Sequence, residues 1–163
     1  MGRGIGSSWV AAVGALVLIG AAPLAVFSSG GWAAFDRGTS CEAVGRSERI
    51  DRDPLSQPHA AFVFDRSGPR RGQFAAQLTL PVRPDSTVLL TVGDQPFLLV
   101  ARDRFAWSRG PAQEHAIMSA VRFAPTMRIK ARSPGGGRFV DRYALAGAAG
   151  AIDAAAACSV RRG

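Results

Sequence analysis

Cysteine is scarce in this chain: Cys41 and Cys158 are the only two in 163 residues. Histidine is as rare, with His59 and His115 alone, and Lys130 is the single lysine. No two cysteines or histidines are closely spaced, so the ligand spacing of a zinc or similar metal site is missing. Neither histidine has a serine in a glycine elbow to activate, which removes a sequence-visible hydrolase triad. The glycine-rich PGGGRF has no P-loop lysine and no following helix, so it reads as a hairpin turn rather than a phosphate cradle. Beyond residue 27 no apolar run is long enough to cross a bilayer.

What is present begins with a leader. Arg3 supplies a short positive region, and residues 9–27 are unbroken by charge. Ser28, Ser29, Gly30 and Gly31 follow, small residues of the kind signal peptidase accepts, with cuts expected after Ser28 or after Gly30. The rival reading is an uncleaved membrane anchor, against which Pro23 and the several glycines and alanines count. Residues 1–30 are therefore expected to be a signal peptide, with a retained anchor as the alternative. Residues 31–160 then form one domain of common size, expected in the periplasm or secreted.

Outside the cytoplasm, two cysteines most simply mean one disulfide; the alternative is two unrelated buried thiols. A Cys41–Cys158 bond would close nearly the whole domain into a loop, removing ~4 to 5 kcal/mol of denatured-state freedom. The charge balance is +8 and almost wholly arginine. An arginine-for-lysine skew with abundant alanine and glycine is also what a GC-rich genome produces. A basic exported protein still favours anionic partners such as lipid headgroups, lipopolysaccharide or acidic polymers, and its compartment argues against nucleic acid.

Periodicity predicts strands through the middle of the chain. Residues 29–58 are polar and turn-rich, apart from a short first strand around Trp32 and Phe35. In residues 60–82, Phe62 and Phe64 share a face, and Phe74, Ala76, Leu78, Leu80 and Val82 alternate with polar or small neighbours. That stretch predicts a hairpin. Val88, Leu90 and Val92 mark another strand, and residues 96–107 one or two more. Ile117, Met118 and Val121 fall on one face of a short helix. Met127, Ile129 and Ala131 alternate with Arg128, Lys130 and Arg132, and residues 138–145 run back after the glycine turn. With Ser133 opposite Arg138, Lys130 faces Asp141 and Arg128 faces Tyr143. Gly147 begins an alanine-rich helix that delivers Cys158. The expected class is all-β dominated, an antiparallel sandwich or curled sheet with one or two short helices. Its core is expected to hold Phe74, Leu78, Leu80, Val88, Leu90, Ile129, Tyr143 and Leu145, with Trp107 at a strand end.

No catalytic, cofactor-binding or metal-binding residue is assigned. Asp51 and Asp53 sit in a charged loop, Glu42 is beside Cys41, and Asp103 lies between Arg102 and Arg104, where a solvated ion pair explains it. The candidate binding surface is basic: Arg128, Lys130 and Arg132 on one strand face, with Arg70 and Arg71 at a hairpin tip. Its expected partners are anionic envelope components or another protein, with membrane contact only through an uncleaved leader.

The second half of the chain also carries a family resemblance. FAWSRG is followed by a basic strand, a glycine turn, and then Asp141, Tyr143, Leu145, Gly147, Ala151 and Cys158 at the spacing Asp-x-Tyr-x-Leu-x-Gly with a small helix reaching a terminal cysteine. Nearer the start, Trp32, Cys41 beside Glu42 and Ala43, and an alternating strand ending LPV agree more loosely. Together these resemble the invasion-associated locus B family of exported Gram-negative proteins. The resemblance implies a periplasmic or outer-envelope β-rich domain with no catalytic residues to carry over, in a family named for a link to host-cell entry. The function expected is a non-enzymatic envelope or host-interaction role. The alternative is an envelope hydrolase acting on glycan or peptide through carboxylates that the sequence does not single out.

Overall fold

The structure, a computed structural model, describes residues 23–53 and 56–161. Most of the expected leader, residues 1–22, thus lies outside the described residues. The order of elements is β1 (Leu24–Ser29), β2 (Trp32–Asp36), β3 (Ser40–Arg46), β4 (His59–Asp65), β5 (Arg71–Gln77), β6 (Val88–Val92), β7 (Gln95–Arg102), β8 (Phe105–Trp107), α1 (Pro111–Val121), β9 (Thr126–Arg132), β10 (Arg138–Ala144) and α2 (Ala148–Val160). All neighbouring strands run antiparallel in one ten-stranded sheet ordered β1-β2-β3-β4-β5-β8-β7-β6-β9-β10. The expected class therefore holds: a curled antiparallel sheet with two short helices.

Alternation decides which side chains turn inward. Trp32, Phe62, Phe74, Leu90, Ile129 and Tyr143 all come from inward strand positions and are fully buried. The Phe62 ring meets Phe74 edge-on at 5.4 Å and Trp32 at 6.1 Å. Such aromatic pairs add ~0.5 to 1.5 kcal/mol beyond the area they bury. Over β1 to β4 lies α2, whose Ala148, Ala151 and Ala155 are small enough to bring its backbone close to the sheet. Helix α1 packs on β5 to β7 through Ile117 and Val121. Its one buried acid, Glu114, accepts a hydrogen bond from the Ser108 hydroxyl at 3.1 Å.

The last strand, β10, is tied back to β2 and to the segment after β3 by single hydrogen bonds. Trp32 Nε1–H donates to the Ala144 carbonyl at 2.9 Å, and the Glu48 backbone N–H donates to the Arg142 carbonyl at 2.8 Å. The disulfide then staples the body: Cys41 on β3 is bonded to Cys158 in the last turn of α2, with Cα atoms 6.0 Å apart and a sequence separation of 117. Arg66 locks the same corner. Its guanidinium donates to the Cys158 carbonyl at 3.0 Å and pairs with Asp36 at 2.7 Å. A cation at the carbonyl end of a helix is favoured by the helix dipole.

Four expectations need correction. Leu80 is 42% exposed rather than core, because β5 ends at Gln77 and the chain bends at residues 79–80, breaking the alternation. Residues 40–46, expected to be turn-rich, form β3, with Cys41, Ala43 and Gly45 inward. The strand holding Trp32 is the second, since residues 24–29 of the expected leader form β1. The β9–β10 register is shifted by one residue, with consequences for the candidate site.

Candidate functional site

Strand β9 alternates without interruption: Met127, Ile129 and Ala131 are buried, and Arg128, Lys130 and Arg132 are exposed. In the turn that follows, Ser133 N–H donates to the Gly137 carbonyl and Gly136 N–H to the Ser133 carbonyl, both at 2.8 Å, with Gly136 at φ 85°. Glycine tolerates that positive φ at little cost. The closing pair is Arg132 opposite Arg138, so the turn holds one residue more than the expected four.

A one-residue shift exchanges the faces of a strand. Lys130 therefore lies opposite Val140 rather than Asp141, and Arg128 opposite Arg142 rather than Tyr143. Asp141 lies opposite Ile129 and points inward, where it is 1% exposed. Its carboxylate accepts hydrogen bonds from the Thr79 backbone N–H at 3.0 Å and from the Thr79 hydroxyl. Tyr143 is inward as well, and burial pushes its phenol far above its ordinary range, with the Asp141 charge adding to the effect.

The outer face left behind is more basic than the sequence reading proposed. Arg128, Lys130 and Arg132 are joined by Arg138 and Arg142, and neither strand contributes a carboxylate to this side. Arg128–Arg142 and Arg132–Arg138 are direct cross-strand cation pairs, which disfavour the sheet by a few tenths of a kcal/mol each. An open depression of about 390 Å³ sits here, with Lys130, Arg132 and Arg138 around Leu89, Phe139 and Val140. Glu48 borders the opposite end, beside Arg128 and Arg142. The arrangement suits an anionic group with an apolar neighbour.

Arg70 and Arg71 do not join this face. Arg70 pairs with Asp65 at 2.6 Å and holds that carboxyl below the usual range by its hydrogen bond. Arg71 donates to the carbonyls of Asp65, Gly68 and Arg70, so both arginines shape the β4–β5 turn.

Two further depressions, of about 410 and 380 Å³, meet at His59 on the outer face of β2 to β5 and β8. His59 Nδ1 lies 3.1 Å from the Gln57 carbonyl oxygen, and His115 is exposed on α1. Asp103 has no ion pair with its arginine neighbours among the described contacts; Arg104 instead donates to the carbonyls of Leu78, Ser56 and Thr79. An Asp36 carboxylate oxygen and both cysteine sulfurs lie within 4.8 Å of one another, but the sulfurs are bonded to each other and Asp36 is held by Arg66. The donor set does not fit a metal ion.

Comparison with protein-family models, curated proteins and solved structures gives no match to this chain.

Proposed function

We propose that the protein is an exported, envelope-associated binding domain of the invasion-associated locus B type, non-catalytic, which holds phosphate-bearing envelope lipid on its β9–β10 face. The observation that carries this reading is the cluster of Arg128, Lys130, Arg132, Arg138 and Arg142 on one exposed face, bought at the cost of two opposed cation pairs. A bound array of phosphates relieves that repulsion, so the ligand stabilises what the sheet alone disfavours. Export is supported by the charge-free leader and by the disulfide, a bond that persists in oxidising compartments.

The test is co-sedimentation with vesicles of phosphatidylglycerol and, separately, with lipopolysaccharide. Binding is expected to fall as salt rises and to be weak on zwitterionic vesicles. Arg128→Ser with Arg132→Ser is expected to weaken it roughly 30-fold, at about 1 kcal/mol per cation. Binding that is insensitive to both salt and these substitutions would reject the reading.

A further inference from the structure

The leader and the fold compete for the same residues. Leu24–Ser29, which the sequence assigns to the end of the apolar run and the cleavage region, form β1 and pair along β2 from Leu24↔Asp36 to Ser29↔Trp32. This segment is set into the body by backbone contacts. A Cβ at Gly147 would lie 2.0 Å from the Ser29 carbonyl oxygen, and one at Gly30 would lie 2.1 Å from the Ala146 carbonyl oxygen. At Gly150 an added Cβ would come within 2.7 Å of the Phe27 ring. Backbone-to-backbone approach of that kind cannot be relieved by turning a side chain. Gly30 and Gly147 also have φ of 58° and 88°, which favours glycine on its own, whereas the space at Gly150 is filled by the Phe27 ring.

Cleavage after Ser28 or Gly30 would delete β1, expose the β2 edge and leave the seat at Gly147 and Gly150 unfilled. The small residues Gly20, Ala21 and Ala22 lie upstream, but Pro23 follows them and makes the next peptide bond a tertiary amide without N–H. Residues 4–22 carry no charged side chain, and their number is close to the ~20 apolar residues that crossing a bilayer takes. Arg3 ahead of that run favours a cytoplasmic N-terminal side and an exported domain.

We propose that residues 4–22 stay attached after export as a membrane anchor, with β1 emerging directly from the bilayer surface. The end of the sheet where Leu24 enters suits that position. Leu24 lies opposite Asp36, Asp36 opposite Cys41, Cys41 opposite Phe64, and Phe64 opposite Arg71. This end gathers Arg37, Arg66, Arg70, Arg71 and Arg161 against Asp36, Glu42 and Asp65. An excess of guanidinium groups there faces anionic headgroups favourably. The proposal rests on the exported reading above but not on lipid binding by β9–β10.

The experiment uses the full chain expressed in a Gram-negative host, followed by membrane fractionation and intact-mass measurement of the recovered protein. The expected result is protein that stays in the membrane pellet through high-salt and alkaline washes, leaves only with detergent, and has a mass that includes residues 4–22. A mass corresponding to a start at Pro23, Ser29 or Gly31 would overturn the anchor. Release by high salt of a chain lacking the leader would also overturn it, while leaving binding through the basic face standing.

Discussion

Asp141 and Thr79 meet inside the curl of the sheet, 62 positions apart in sequence, and the Asp141 carboxylate accepts both the backbone N–H and the hydroxyl of Thr79. The pair ties the segment after β5 to β10. Asp141→Ala leaves the Thr79 N–H buried without a partner and is expected to cost about 2–4 kcal/mol. A denaturant midpoint series reads this directly. A loss under about 0.5 kcal/mol, the range of ordinary surface changes, would show that the bond does not hold the segment.

Tyr143 is the only tyrosine in the chain, so an alkaline absorbance titration reads it alone. Its hydroxyl is buried and meets no hydrogen-bond partner among the described residues. Since its folded pKa lies above the unfolded value near 10, the resulting stability is present below pH ~10 and is lost as pH rises above it. Phenolate absorbance is expected to appear only together with unfolding. Tyr143→Phe removes an unpaired hydroxyl and is expected to leave stability unchanged or raise it by up to ~2 kcal/mol. Phenolate forming in the folded protein near pH 10 would contradict the burial.

The same strand shows how far the sequence could be read. Phe139, Asp141 and Tyr143 share parity, so placing Tyr143 in the core obliges Asp141 to enter it too. The attraction of a Lys130–Asp141 pair argued for the other register, but a surface ion pair contributes ~0 to 1 kcal/mol. Burying Tyr143 and Ile129 outweighs that. Strand-rich class, the short helix carrying Ile117 and Val121, the alanine-rich helix and the sulfur pairing were all legible from periodicity and composition. β3 was not, because Cys41, Ala43 and Gly45 make an inward face too small to register as apolar alternation. Leu80 failed for a different reason: alternation in the sequence runs past the point where the strand ends. Arg138 and Arg142 were missed as site residues only because the register was.

At low pH the ion pairs set the response. Asp65 is held low by hydrogen bonding from Arg70, Asp36 by the Gly38 backbone N–H and then by Arg66, and Asp153 by Arg122. Their folded pKa values lie below the unfolded value of 3.8. The stability they contribute is therefore present above pH ~4 and is lost as pH falls through the folded values. Thermal melts from pH 6 to pH 2 are expected to show a falling Tm, steepest below pH 4. Arg70→Gln should flatten that fall, and a wild-type Tm unchanged down to pH 2 would contradict these pairings.

Cys41–Cys158 closes almost the whole domain. Its removal by Cys41→Ala with Cys158→Ala is expected to cost ~2–5 kcal/mol. Chemical denaturation of the oxidised, reduced and doubly substituted proteins separates loss of the bond from loss of the side chains. Equal stability in all three would show that the staple is idle.

Arg142 faces Arg128 directly, which separates stability from binding. Arg142→Glu replaces a repulsive pair by an attractive one and is expected to gain ~0.2–1 kcal/mol at low salt. The same change should weaken adsorption to anionic vesicles. Tighter binding in this variant would be incompatible with a phosphate-holding face.

The most direct test of that face is to map where the lipid lies. With the isotope-labelled domain, amide NMR shifts are followed during titration with phosphatidylglycerol bicelles. The largest changes are expected on residues 128–132 and 138–142, disappearing in high salt. Changes concentrated around His59 and Trp107, or absent along both basic strands, would contradict that placement.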